Sequence, residues 1–230
     1  MGVRVLAITR PAEKPFRYTS NRFDLVMVPL TRISPIGDIQ AAMERAMSFR
    51  PHVVVLTSEY GARLALRHLP ARWLRERLSM AIGNATASVL REAGLSPLVP
   101  GQMDTDGLKR EIREKIPSGS RICFLRSDHG RDVGDLSDEF QVLDIPIYRV
   151  ERLPCDCTKI RNSWGVLVTS SFEAQALSEC MRECGATPMV FAIGPPTAAT
   201  LRSMGIEPSE PIGKSDIGGL IKEIEELYGE

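Results

Sequence analysis

Two segments of this sequence carry the same residue types in the same order: Ile82-Gly83-Asn84-Ala85-Thr86-Ala87 and Ile193-Gly194-Pro195-Pro196-Thr197-Ala198. Each follows a short apolar run and precedes a helical pattern, so each reads as a strand-to-helix turn. A helix N-terminus presents backbone N–H groups without intrahelical partners and carries partial positive charge, which suits an anion. Further turns of this character lie at Thr9-Arg10, Thr57-Ser58, Arg126-Ser127 and Thr169-Ser170. Ser58, Asn84 and Ser170 read as N-caps. Any one of them is an ordinary helix cap; a whole set on one edge of a fold points to a ligand. Arg10, Lys14, Arg17, Arg126 and Arg131 fall in or just after the first turn of each half of the chain. A guanidinium fork can hold both oxygens of a carboxylate, and solvated surface charge is the plain alternative. The glycines form neither a G-x-G-x-x-G nor a Walker loop, so nucleotide phosphate is not the expected anion.

Other chemistries find less support. No Ser–His–Asp set and no paired-carboxylate motif is recognisable from spacing. His129, in Ser127-Asp128-His129-Gly130, could titrate near neutrality but reads as incidental, and His52 and His68 read as structural. Cys155-Asp-Cys157 and Cys180-x-x-x-Cys184 lack a zinc-type second pair of the usual spacing. The five cysteines, an odd number, argue against a disulfide scaffold and for free thiols in a reducing compartment. No metal and no cofactor are expected. Twenty-nine basic residues balance twenty-nine acidic ones, so nucleic acid is not an expected partner. No apolar run approaches the ~20 residues of a membrane helix, and the segment to Arg10 reads as a strand and not as a signal peptide. A cytoplasmic monomer is the resulting expectation.

The elements that must position these turns repeat. Residues 81–97 (AIGNATASVLREAGLSP) and 192–208 (AIGPPTAATLRSMGIEP) match without a gap. The flanking segments match as well: Val53 onward (VVVLTSEYGARLAL) with Gly165 onward (GVLVTSSFEAQAL), and Gly101 onward with Gly213 onward. Arg4–Ile8 parallels Arg121–Leu125, and Pro29–Ile33 parallels Pro146–Val150. The chain is two copies of one unit, and the repeat alone places a cut near Pro117-Ser118-Gly119. Within each copy, β-rich runs such as Val3–Ile8, Val53–Leu56 and Met80–Ile82 alternate with helix patterns over Ile39–Phe49, Glu59–His68 and Ala85–Ala93. Gly94 closes the last of these. Such alternation predicts parallel sheets covered on both faces, with the strand-to-helix turns on one edge.

In this order the motifs resemble those of uroporphyrinogen-III synthases, along nearly the whole chain. Thr9-Arg10-Pro11 is similar to the family's opening Thr-Arg-Pro, and Thr57-Ser58 to its Phe-Thr-Ser turn, with Leu56 in place of Phe. Ile82–Ala87 is similar to its Val-Gly-x-x-Thr-Ala motif, and Ile147-Tyr148-Arg149 to its Val-Tyr-x-Thr strand. Thr169-Ser170 and Ile193–Ala198 complete the set. Val150 stands where Thr is usual and Pro196 where Thr is frequent, so neither receives a binding role. The resemblance implies two similar parallel-sheet α/β domains joined by a two-stranded hinge, with the active site in the interdomain cleft. One domain would comprise 1–33 plus 151–230, the other 34–150, with Thr31–Ser34 and Ile147–Val150 as the hinge.

The implied substrate is hydroxymethylbilane, a linear tetrapyrrole with eight carboxylates. Loss of its hydroxyl gives an azafulvene, which the terminal pyrrole attacks through its substituted carbon. The resulting spiro intermediate fragments and recloses to uroporphyrinogen III, with that ring inverted. Because the substrate also closes unaided to the uninverted isomer, orientation is the main task of a catalyst. The resemblance implies that the turns at Thr57, Ser58, Gly83, Asn84, Ser127, Thr169, Ser170, Gly194 and Pro195 hold acetate and propionate groups. Arg10 and Arg126 add charge, Thr86 and Thr197 orient substrate or cap their helices, and Tyr148 donates a proton to the departing hydroxyl. Packing of the Tyr148 ring is the plain alternative for that residue. The competing reading of the whole chain is a two-lobed α/β protein that binds a small acidic ligand without chemistry.

Overall fold

Uninterrupted apolar runs become the inner strands: every residue of Val53–Leu56 is buried, as is every residue of Gly165–Val168. The computed structural model describes residues 4–14, 16–130 and 132–229, so Val3 and Arg131 lie outside it. In chain order the strands are β1 (Arg4–Thr9), β2 (Phe23–Met27), β3 (Thr31–Pro35), β4 (Val53–Leu56), β5 (Leu78–Ala81), β6 (Arg121–Ser127), β7 (Gln141–Arg152), β8 (Gly165–Val168) and β9 (Met189–Ala192). The helices are α1 (Ile39–Ser48), α2 (Glu59–His68), α3 (Ala71–Arg75), α4 (Asn84–Glu92), α5 (Thr105–Lys115), α6 (Cys157–Asn162), α7 (Ser171–Cys184), α8 (Pro195–Ser203) and α9 (Ile217–Tyr228). A short 3-10 turn covers Gly134–Asp138.

The chain divides into two compact units, Met1–Ile33 with Glu151–Glu230, and Ser34–Val150. Unit one holds a sheet of order β2-β1-β8-β9, and the second sheet has order β3-β7-β6-β4-β5. The pairs β1–β2, β1–β8 and β8–β9 are parallel, as are β4–β5, β4–β6 and β6–β7. The two repeats therefore exchange halves. The opening strands of the first copy, β1 and β2, sit beside β8 and β9 of the second, and β6 and β7 sit beside β4 and β5. The register aligns Leu6 with Gly165 and Val53 with Ile122.

Burial on both faces explains why these strands show no polar alternation. In unit one, Ala7, Val166, Val168, Val190 and Ala192 pack with Ala174 and Leu177 of α7. The intervening Leu6, Ile8, Leu167 and Phe191 pack with Leu220, Ile221 and Ile224 of α9. In unit two, Val53, Val55, Ile122 and Phe124 meet Leu108 and Ile112 of α5. Gly165 is required by this packing: a Cβ there would lie 2.9 Å from the Phe191 ring and 3.3 Å from Leu6. Gly165→Ala is therefore expected to cost about 1–3 kcal/mol, the usual range for overpacking a core. Chemical unfolding would check this, and an unchanged midpoint would remove the steric account.

Helix limits follow local chemistry. The α2 pattern at Glu59–His68 is observed as read, and Gly94 follows α4 at φ +76°, where a side chain would be strained. The reading of Asn84 as an N-cap is corrected by one residue. Gly83, whose own backbone is extended, is the cap and Asn84 the first helical residue.

Candidate functional site

Parallel pairing puts the C-terminal ends of β4, β5, β6 and β7 on one edge of the sheet, so the turns that follow β4, β5 and β6 share it. At the first turn, Ser58 caps α2: its Oγ accepts from the N–H of Gly61 at 2.9 Å. The same Oγ accepts from the Tyr148 hydroxyl at 2.7 Å. Tyr148 stands in β7 level with Ser127 of β6 and is only 6% exposed. Its ring meets Tyr60 at a centroid distance of 5.1 Å. Space for it exists because residue 61 is glycine; a Cβ would lie 3.3 Å from the Tyr148 ring and 3.1 Å from Ser58 Oγ. Tyr148 donates to Ser58, and the Ser58 hydroxyl proton remains free to point elsewhere. Replacing Ser58 by Ala removes the cap and is expected to cost about 1 kcal/mol. Urea unfolding of the variant would measure it, and a loss of zero would show that the Gly61 N–H bond contributes nothing.

The equivalent position of unit one is built differently. Ser170 caps α7 through the Glu173 N–H at 3.1 Å, and Thr169 Oγ1 donates to the Thr9 carbonyl at 2.6 Å. In the repeat, Thr31 corresponds to Tyr148 and Glu173 to Gly61. The short Thr31 side chain donates to Glu173 Oε1. A long residue against glycine in one copy is thus replaced by a short residue against a long one in the other. Glu173 is fully buried, and its Oε2 makes no hydrogen bond of good geometry. Desolvation pushes its carboxyl up to about 7, although hydrogen bonds from Thr31, Thr9 and the Leu30 backbone favour the charged form. The sequence reading missed Glu173; aligning it with Gly61 in the repeat was the signal that could have found it.

The remaining expected residues divide. Gly83 and Gly194 begin α4 and α8, with no side-chain cap on either. Pro195 opens α8, where its missing N–H costs nothing. Asn84 and Pro195 are exposed, and Thr57 and Ser127 are half-buried. Thr86 and Thr197 are buried third residues of α4 and α8; neither caps its helix, which corrects that part of the expectation. Arg10 is half-buried and has no ion-pair partner among the described residues. Arg126 does not offer its fork outward. Its Nε donates to Asp144 Oδ1 at 2.6 Å and its Nη2 to Asp144 Oδ2, while Nη1 serves the carbonyls of Ser127 and Gly130 at 2.9 and 3.1 Å. Hydrogen bonding to Asp144 raises its pKa further above the ordinary value. A Cβ on Gly130 would fall 2.7 Å from Arg126 Nη1. The expectation of a carboxylate-binding Arg126 is therefore corrected to that of an internally satisfied cation that shapes the loop after β6.

A cavity of about 520 Å³ opens where β1 and β2 end, lined by Ile8, Phe16, Arg17, Tyr18, Leu25 and Met27. Its aromatic and aliphatic walls with one guanidinium suit a flat apolar ring bearing an acid. Another cavity, of about 540 Å³, lies against α7 and the turn after α8, around Glu179, Met181 and Met204. It backs onto the helical layer and has no strand-end turn in its lining. The expectation of free thiols is overturned for four cysteines: Cys155 pairs with Cys180, and Cys157 with Cys184. Cys180 and Cys184 lie one turn apart on α7, and the connection after β7 lays the other two upon them. Cys123 alone is free among the described residues, buried, with its thiol pushed up to about 12 by desolvation and then by Asp144. No helix among the described residues is long and apolar enough to cross a membrane.

Each unit builds a sheet of parallel pairs with helix N-termini at the edge of that sheet, and together these features define the class as an α/β protein. The family model for uroporphyrinogen-III synthase HemD matches residues 19–222, and the chain belongs to that family. A protein of Archaeoglobus fulgidus named as a candidate uroporphyrinogen-III synthase is 31% identical over 169 residues, covering 68% of this chain and 72% of its own. In fold the chain is similar to uroporphyrinogen-III synthetase of Helicobacter pylori 26695, with a TM-score of 0.65 and 14% identity over 97% of this chain and 99% of that one. It is also similar to a mutant uroporphyrinogen III synthase of the extremely thermophilic bacterium Thermus thermophilus, with a TM-score of 0.62 and 19% identity over 98% and 100%. Family membership favours an enzyme of tetrapyrrole biosynthesis over the binding-only reading.

Proposed function

We propose that the chain closes hydroxymethylbilane to uroporphyrinogen III with loss of water, as a cyclising lyase, and that it does so mainly by holding the substrate. The observation that carries this reading is the pairing of uncapped helix starts at Gly83 and Gly194 with capped ones at Ser58 and Ser170. Backbone amides at these turns take the acetate and propionate carboxylates, and Arg10 adds charge. The cavity beside Phe16 and Tyr18 takes one pyrrole ring. Fixing the chain of rings in this way selects which carbon of the terminal pyrrole attacks the azafulvene. The gain is one of proximity and orientation.

The proton for the departing hydroxyl comes through Ser58. The Ser58 hydroxyl gives its proton to the leaving oxygen, and Tyr148 passes its own to Ser58 Oγ along their 2.7 Å contact. The C–O bond breaks, water leaves, and the tyrosinate is reprotonated when the closing ring loses its proton. The reaction belongs in the cytoplasm, and the chain acts as a monomer. Incubation with freshly prepared hydroxymethylbilane, oxidation and separation of the porphyrin isomers tests the reading. Unchanged type I product would end it.

A further inference from the structure

Four of the five cysteines converge in unit one, a grouping that the reaction proposed above does not use. Besides the pairs Cys155–Cys180 and Cys157–Cys184, Cys155 Sγ lies 3.2 Å from Cys184 Sγ, and Cys180 Sγ lies 4.0 Å from Cys184 Sγ. The sulfurs of Cys155, Cys157 and Cys184 all fall within 4.8 Å of one another. Two independent disulfides require only one near neighbour for each sulfur. Here Cys184 is within reach of all three others, and Cys155 likewise. We propose that Cys155, Cys157, Cys180 and Cys184, in reduced form, hold a single zinc-class divalent ion as four thiolates.

The dimensions support one ion. With metal–sulfur bonds of about 2.3 Å, the edge of a tetrahedron of sulfurs is roughly 3.8 Å, and the Cys155–Cys184 and Cys180–Cys184 separations of 3.2 and 4.0 Å lie on either side of it. An iron–sulfur cluster divides its thiolates among several irons and needs them further apart. Soft thiolates in a tetrahedral set select zinc over the hard cations. The spacing Cys180-x-x-x-Cys184 is an ordinary ligand pair and places both sulfurs on one face of α7. Cys155-x-Cys157, before and at the start of α6, supplies the other pair. Cys180 and Cys184 are buried, and the other two pack against the same core. Binding converts four thiols to thiolates and releases their protons, with no electron transferred. The resulting negative charge has Arg161 at hand, whose Nε already donates to the Cys184 carbonyl at 2.8 Å. The ion would fasten the connection between β7 and α6 to the C-terminal half of α7, the helix whose first turn holds Ser170 and Glu173.

The full chain, purified with a thiol reductant and zinc in the medium and then desalted, is the sample. Elemental analysis should find about one zinc per chain, released by a mercurial that blocks thiols. Replacement by cobalt(II) should give the strong visible bands of tetrahedral thiolate coordination, a readout that requires no variant. Cys180→Ser should retain under about a tenth of the zinc, and Cys123→Ser should retain all of it. Three results would overturn the proposal: absence of bound metal in the reduced protein, iron in place of zinc, or a mass four hydrogens short with only Cys123 reacting with a thiol reagent.

Discussion

Tyr148→Phe will lower turnover about 10²-fold, the lower end of general acid assistance, while the protein unfolds at nearly the wild-type temperature. The variant keeps the ring, which is where the packing lies: the side chain is buried, set beside Tyr60 and seated over Gly61. It deletes one hydrogen bond, from Tyr148 to Ser58, whose net worth is about 1 kcal/mol. Ser58 retains its bond from Gly61, so the cap survives. What is lost is the supply of a proton behind the Ser58 hydroxyl. Because the substrate loses its hydroxyl readily, the loss stays at the low end, and selectivity for the type III isomer persists. Turnover and thermal unfolding measured side by side decide the matter. Wild-type turnover in a folded variant would leave orientation as the whole of catalysis.

Wild-type stability will fall as pH rises from about 4.5 to about 7, and Glu173→Gln will abolish that part of the dependence. The folded-state pKa is raised from 4.5 to about 7, so in this window the native state binds more protons than the unfolded one. The stabilising contribution is complete below about 4.5 and is lost by about 7. Its size is on the order of 3 kcal/mol. Glutamine keeps an acceptor for the Thr31 hydroxyl but cannot ionise. It also places an amide N–H where Oε2 already lacks a partner, so the variant is less stable than wild type at pH 4.5 and regains parity as pH rises. Urea unfolding at pH 4.5 and pH 8 for both proteins measures this. Parallel pH dependences would show that Glu173 is ionised in the fold at neutral pH.

Much of the architecture is legible in the sequence because buried parallel strands leave a plain mark. Val53–Leu56 and Gly165–Val168 are apolar throughout, bounded by turns, and followed by Thr-Ser at helix starts. The repeat shows which residues correspond. It does not show which strands pair, since β1 resembles β6 yet lies beside β8. Sequence similarity identifies copies, and sheet order is settled by which edges the connections can reach. Side-chain commitments were the least legible part. Arg126 reads as a ligand for carboxylates, but Asp144, brought alongside by the pairing of β6 with β7, takes both prongs. Glu173 carries no motif of its own, and its place opposite Thr31 arises only when β3 folds against the start of α7. The cysteines are uninformative by spacing because two unlike pairs meet only after the connection following β7 folds onto α7.

The central claim is control over which isomer forms, and it is tested most directly by product analysis in the first moments of reaction. Hydroxymethylbilane is generated fresh, divided between buffer and buffer with the chain, quenched at short intervals by oxidation, and resolved into type I and type III porphyrin. With the chain present, the account predicts that type III dominates from the earliest time point and that total closure outpaces the spontaneous reaction in proportion to protein added. Type I alone, appearing at the spontaneous rate whatever the protein concentration, would contradict it.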